Sequence, residues 1–180
     1  MTKKQRSVAT ATPDWEREKT IKGTYDPGKC LLAAIRRYQQ YRQQGQVGFV
    51  LSKLAVIQHR FWSAVCAADI PINSHIGGGL MIPHPNGIVI HPEAVIGANC
   101  LIMQQVTIGT AGNGSGTPVI DDYVNIGAGA KILGGVHIGA HARIGANAVV
   151  IKDVPERATA VGIPAEIKFS EGTDTRELHV

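Results

Sequence analysis

The sequence predicts a mainly β protein: a parallel β-helix of hexapeptide repeats, preceded by a small N-terminal α-helical appendage. Three observations carry this expectation. Large aliphatic residues recur every six positions from Ile90 to Val150, glycine directly follows many of them, and residues 28–66 show helical spacing instead.

The repeat runs Ile90, Ile96, Ile102, Ile108 and, after a glycine-rich gap, Ile120, Ile126, Ile132, Ile138, Ile144, Val150. Upstream, Ile76, Ile82 and Ile88 keep the same step in a frame offset by two. A step of six fits neither a helix of period about 3.6 nor an alternating strand of period 2. It fits short strands joined by tight corners, three hexapeptides to a coil, with coils stacked at roughly 4.8 Å. The large aliphatic points inward onto its counterpart in the next coil. Gly77, Gly97, Gly109, Gly127, Gly139 and Gly145 suit crowded corners or positive φ.

"GTAGNGSGTP" (109–118) has no inward aliphatic residue and reads as a loop projecting from the coil. In the appendage (26–68), Leu31, Leu32, Ile35 and Tyr38, then Leu51, Leu54, Phe61 and Val65, mark two helices, with Gly45 and Gly48 between them. Such helices are expected to cover the first coil, whose edge is otherwise unpaired. The β-helix domain is expected over 69–168. The basic arm 1–25 and the polar tail 169–180 are expected to be mobile.

The 180 residues include 21 glycines, with 44% apolar and 5% aromatic content, which suits thin repetitive layers. No apolar run is long enough to span a membrane, and no apolar stretch follows the basic N-terminus as in a secretion signal. Cys30, Cys66 and Cys100 are widely spaced and odd in number. They support neither a zinc site nor a disulfide framework, and reduced thiols point to a cytoplasmic protein. Residues 1–70 hold 12 Lys+Arg against 5 Asp+Glu, and residues 71–180 hold 6 against 9. These front-half cations are scattered and lack a stacking platform, so a solvated helical face is expected rather than a nucleic-acid site.

"DIPINSHIGGGLMIPHPNGIVIHPEAVIGANC", "QQVTIG", "IGAGAKILG" and "KDVPERATAVGIPAEI" together resemble the hexapeptide-repeat acyltransferases, serine acetyltransferase type, over residues 69–168. That resemblance implies a left-handed coil, a homotrimer or larger assembly, acetyl-CoA as co-substrate without a metal, and a site shared between neighbouring subunits.

In that type an aspartate precedes the catalytic histidine by fifteen residues, as Asp69 precedes His84 here. The chemistry asks for such a pair. An alcohol needs an imidazole to take its proton as it attacks a thioester. A carboxylate on the other ring nitrogen fixes the tautomer and steadies the imidazolium. The plainer alternatives are a corner histidine packed between Pro83 and Pro85, and an aspartate that merely starts a strand. His75, His91, His137 and His141 fall at surface positions of the repeat, where solvent exposure is expected. For acetyl-CoA, the resemblance points to small residues beside the pantetheine arm at Gly109, Thr110, Ala128 and Ala146, with Arg143, Lys152 and Lys168 as cations for its phosphates.

The acceptor side departs from the family. Serine acetyltransferases have Asp-His where this chain has Pro83-His84, and Arg-His-Pro where it has Gly116-Thr117-Pro118. The expected function is acetyl transfer from acetyl-CoA to a hydroxyl, that of L-serine on whole-domain resemblance. A saccharide hydroxyl in polysaccharide or glycoconjugate assembly, and a non-catalytic β-helix scaffold, are the alternatives.

Overall fold

A computed structural model describes residues 11–169 except Lys22 and Asn113. A short 3-10 turn at Trp15–Glu18 leads to helices α1 (Pro27–Tyr41) and α2 (Gly45–Cys66). Thirteen strands of two or three residues follow: β1 (His75–Ile76), β2 (Val89–Ile90), β3 (Val95–Ile96), β4 (Leu101–Ile102), β5 (Thr107–Gly109), β6 (Val119–Ile120), β7 (Asn125–Ile126), β8 (Lys131–Leu133), β9 (His137–Ile138), β10 (Arg143–Ile144), β11 (Val149–Val150), β12 (Thr159–Val161) and β13 (Glu166–Lys168).

The strands stack into the three faces of a left-handed parallel β-helix. The first face carries β2, β5, β8 and β11, the second β1, β3, β6 and β9, and the third β4, β7, β10, β12 and β13. In each pair the second residue points inward, so Ile90, Ile108, Ile132 and Val150 stack on one face, and Ile96, Ile120 and Ile138 on another. All are essentially buried. Each isoleucine removed from water contributes about 1.5–3 kcal/mol.

The coil is not uniform. Asp69 aligns with Val89 and Met81 with Leu101, so the first turn takes 20 residues, whereas Val89 aligns with Thr107 after 18. The two extra residues sit in the corner 83–88, between the third face and the first. This is the cause of the frame offset: Ile88 is a buried corner residue, not an inward strand position in step with Ile76 and Ile82. Leu101 aligns with Asn125 after 24 residues because 109–118 loops out between the first face and the second. Positive φ is not confined to glycine either. Asn99, Gln105, Tyr123, His141, Asn147 and Arg157 adopt it at corners.

The helical appendage closes the first coil. Asp26 caps α1 by accepting from the Lys29 N–H (3.0 Å), with Pro27 in the first turn. Leu31, Leu32 and Ile35 join the same core as Ile70, Leu80 and Ile82. Gly28 approaches so closely that a Cβ there would lie 2.5 Å from the Ile82 carbonyl oxygen. The edge of the first coil has no preceding rung, and side chains satisfy it. Arg36 donates to the Ile76 and Gly77 carbonyls (2.7 and 2.6 Å), Gln39 to Ser74 O (3.1 Å) and His59 Nε2 to Ile70 O (2.8 Å). The other end is closed by the antiparallel pairing of β13 with β12.

Three expectations are corrected. Gly48 does not separate the helices: it is buried inside α2, where a side chain would strike Tyr41 O, and the break falls at Arg42–Gln44. Leu54, Phe61 and Val65 are exposed, because α2 turns its small residues Gly48, Ser52 and Ala55 inward instead. Residues 11–20 of the arm dock on the corner between the second and third faces. Asn99 accepts the Asp14 N–H (2.7 Å) and donates to Thr12 O (3.0 Å), Asp122 accepts the Ala11 N–H (3.0 Å), and Trp15 lies over Gly78. The expected mobility of residues 1–10 and 170–180 falls outside the described residues.

Candidate active site

The lengthened corner 83–88 is where the chain departs most from a plain hexapeptide, and it carries His84. Elsewhere this corner is closed by four residues (103–106, 127–130, 145–148). Here Pro83, His84 and Asn86 are exposed while Pro85 and Ile88 are buried. The prolines hold the widened turn, and the imidazole stands out from it. Below it, Gln105 N–H donates to Asn86 O (2.9 Å), Gly129 N–H to Gln104 O (2.8 Å) and Asn147 N–H to Ala128 O (2.8 Å). The corner is therefore a ladder, with His84 at the top and Ala128 and Ala146 on lower rungs.

Asp69 begins the first face. Its N–H donates to Ile88 O (2.8 Å) and its carbonyl accepts from Ile90 N–H (2.9 Å), so it is strand-bound and stacked over Val89, five residues after His84. The Gly87 N–H donates to Ala67 O (2.8 Å), which ties the histidine corner to the segment leading into Asp69. Asp69 is exposed, as is His84. Among the described residues no hydrogen bond or ion pair joins the two side chains.

The other predicted residues fall in separate places. Ala128 and Ala146 share the His84 corner. Arg143 and Lys168 lie on the adjacent third face, where β10, β12 and β13 are successive neighbours. Gly109 and Thr110 open the projecting loop at the opposite end of the first face, on the corner that also holds Lys152. A Cβ at Gly109 would meet nothing within 4 Å, so packing within the chain does not demand glycine there; at Gly127 it does, since a Cβ would lie 2.7 Å from Ala146 N. The loop's far end is fixed by the Thr117 hydroxyl donating to Glu93 O (3.1 Å).

His75 and His141 are exposed, as expected, though His141 stacks on Tyr123 with ring centres 4.9 Å apart. His137 is not free. Its Nε2 lies 3.0 Å from Asp121 Oδ2, and its backbone N–H donates to Asp153 Oδ1 (2.7 Å). His91 is half-buried, with Nδ1 accepting the Glu93 N–H (3.2 Å).

Two polar groups at the His84 corner were passed over in the sequence. Lys131 Nζ donates to Gln105 O (2.6 Å), which fixes a cation beside the ladder. Gln104 Oε1 is buried with no hydrogen-bond partner among the described residues. Neither residue type stands out by spacing, because only the stacking of coils brings them to one corner. Among the described residues no cluster of His, Cys, Asp and Glu could hold a metal ion.

Residues 117–152 match the bacterial transferase hexapeptide (six repeats) family. The chain is similar to serine acetyltransferases. It is 43% identical over 106 residues to the serine acetyltransferase of Synechococcus elongatus, covering 58% of this chain and 43% of that protein. It is 48% identical over 101 residues to that of Haemophilus influenzae, covering 55% and 38%. Soybean serine acetyltransferase apoenzyme superposes with a TM-score of 0.67 at 40% identity, over 79% of this chain and 57% of that one. A Neisseria gonorrhoeae serine acetyltransferase in complex with serine gives 0.66 at 38%, over 79% and 57%. A serine acetyltransferase complex with CoA gives 0.66 at 36%, over 80% and 58%. The chain spans less than half the length of the curated relatives it matches.

Proposed function

We propose that the chain is an acetyl-CoA-dependent O-acetyltransferase with L-serine as acceptor, His84 as general base and Asp69 as its orienting carboxylate. The observation that carries this reading is the six-residue corner: of the corners between the third face and the first, the one that is lengthened raises an imidazole, next to the strand that Asp69 begins. His84 takes the proton of the acceptor hydroxyl as that oxygen attacks the thioester carbonyl. The new C–O bond gives a tetrahedral oxyanion. Its collapse breaks the C–S bond, and the imidazolium returns the proton to the departing CoA thiolate. Asp69 holds the ring nitrogen that does not face the substrate.

CoA would lie beside the ladder, its pantetheine arm against Ala128 and Ala146 and its phosphates toward Arg143 and Lys168. Gly109, Thr110 and Lys152 sit a full face away, so both groups can serve one CoA only if the second is contributed by a neighbouring copy. A homotrimer is therefore part of the proposal. Three free thiols support a cytoplasmic setting.

A saccharide acceptor is favoured by one observation. The loop 109–118 contains no charged side chain to meet the carboxylate of an amino acid. The deciding experiment follows thiol release from acetyl-CoA with L-serine and a panel of sugars, for the native protein and His84→Ala. Serine-dependent release that is lost in the variant supports the reading. Release only with a sugar replaces the acceptor, and release with neither, unchanged by the variant, removes the enzyme.

A further inference from the structure

Glu18 anchors the N-terminal arm. It accepts from the Leu80 N–H (3.0 Å) and from Arg36 Nε and Nη2 (3.0 and 2.9 Å), while the Arg36 guanidinium lies 5.4 Å from the centre of the Trp15 ring. The residue before it, Arg17, is thereby held beside the start of α1. Arg17 donates to the Asn99 and Cys100 carbonyls, which uses two of its five N–H groups. Arg17, Asp26 and Lys29 line one cavity of about 180 Å³ together with residues 80–83. Asp26 Oδ1 caps α1, and its Oδ2 stands 3.7 Å from Lys29 Nζ, beyond hydrogen-bond reach. All three charged residues are half-buried, so bulk salt screens them less than it does an exposed pair.

We propose that this cavity is the acceptor's subsite, with Arg17 and Lys29 holding the carboxylate of an α-amino acid and Asp26 its ammonium group. The inference rests on the acetyl-transfer reading and supplies the charges that loop 109–118 lacks. The cavity reaches Pro83, one Cα step of about 3.8 Å from His84. An acceptor held there by its charged groups has its hydroxyl beside the imidazole that takes the proton. The cavity's size is selective. It holds about six waters at about 30 Å³ each, whereas drug-sized ligands occupy about 300 Å³ or more. That admits an amino acid and not a glycan segment. The charges select as well. A neutral sugar leaves three half-buried charges unanswered, and a CoA phosphate meets Asp26 at like charge. A zwitterion answers both signs.

Calorimetric titration of the full chain with L-serine, without acetyl-CoA, tests the cavity apart from the chemistry. Asp26→Asn removes the charge but keeps a side-chain oxygen to cap α1, so the melting temperature should hold. It should weaken L-serine about tenfold or more, as loss of a charge-assisted bond does. Arg17→Gln should do the same, and Arg17→Lys should recover part of the loss. In none of them should KM for acetyl-CoA change.

Matched ligands separate recognition from a structural role. 3-Hydroxypropionate lacks the ammonium group, so Asp26→Asn should bind it no worse than the native chain does. Ethanolamine lacks the carboxylate, so Arg17→Gln should bind it no worse. If Arg17→Gln fails to fold, Asp26→Asn and its matched ligand carry the test. L-serine that does not bind, or that binds the variants as it binds the native chain, would overturn the inference. So would a loss that is equal for all three ligands, or one confined to acetyl-CoA. Serine binding with the expected pattern but no thiol release would support the cavity and remove the acetyl-transfer reading. Serine-dependent release with a KM for serine that neither variant alters would do the reverse.

Discussion

Gly87 lies under the Gln105 side chain: a Cβ at 87, where φ is +68°, would come within 2.5 Å of the Gln105 carboxamide. That carboxamide in turn donates to Asn86 Oδ1 at 2.6 Å. Two residues beyond the histidine, the widened corner is thus clamped to the rung below it.

The clamp should matter more to turnover than to folding. Gln105→Ala removes one partly exposed hydrogen bond and is expected to cost about 1 kcal/mol of stability. Gly87→Ala adds a left-handed penalty of about 1–2 kcal/mol. In both variants kcat should fall while KM for acetyl-CoA stays near the native value. Thermal melts beside steady-state kinetics check this, and unchanged kcat in both would show that the corner does not position His84.

His84→Ala should lower kcat by about 10²- to 10⁴-fold, the usual range for a lost general base, with no change in melting temperature because the residue is exposed. Asp69→Asn should cause a smaller loss and leave the backbone pairing to Val89 intact. Single-turnover thiol release measures both.

Gly109 offers a test of the donor groove. Since a side chain there meets no atom of its own chain, Gly109→Val should fold normally yet raise KM for acetyl-CoA by tenfold or more. A native KM would place the groove elsewhere.

The cysteines predict the alkaline behaviour. Burial, opposed by the Val124 backbone hydrogen bond, pushes the Cys100 thiol up to about 12. Burial, then the nearby Cys30 and Asp26, pushes Cys66 up to about 11. Both folded values lie above the ordinary 9.0, so the fold favours the neutral thiols. The stability they contribute is complete below pH 9 and is lost as pH rises toward 11–12. Alkylation at pH 8 should label half-buried Cys30 first and reach Cys100 only on unfolding. Rapid labelling of Cys100 in the native state would contradict its burial.

Much of the fold was legible because the repeat is local. Inward Ile96, Ile102 and Ile108 are fixed by their own hexapeptides, whatever the rest of the chain does. The loop 109–118 was legible for the same reason, as a stretch with no inward residue. The 20-residue first turn was not. Ile82 to Ile88 keeps a step of six, so the two-residue insertion around His84 is masked by a buried corner isoleucine that mimics the repeat. The docking of Ala11–Thr20 was equally hidden, since its partners Asn99 and Asp122 look like any other polar corner residues.

The sequence by itself determined the coil, its inward rows, the position of the histidine and the separation of the appendage. Each depends on short-range pattern and on the exclusion of apolar side chains from water. Tertiary structure alone decided which corner His84 occupies, that Lys131 and Gln104 join it, that α1 and Arg36 close the first rung, and that α2 turns its large residues outward. Those are relations between residues on different coils and helices. They depend on register and on which surfaces are already filled, and no local pattern in a single chain encodes either.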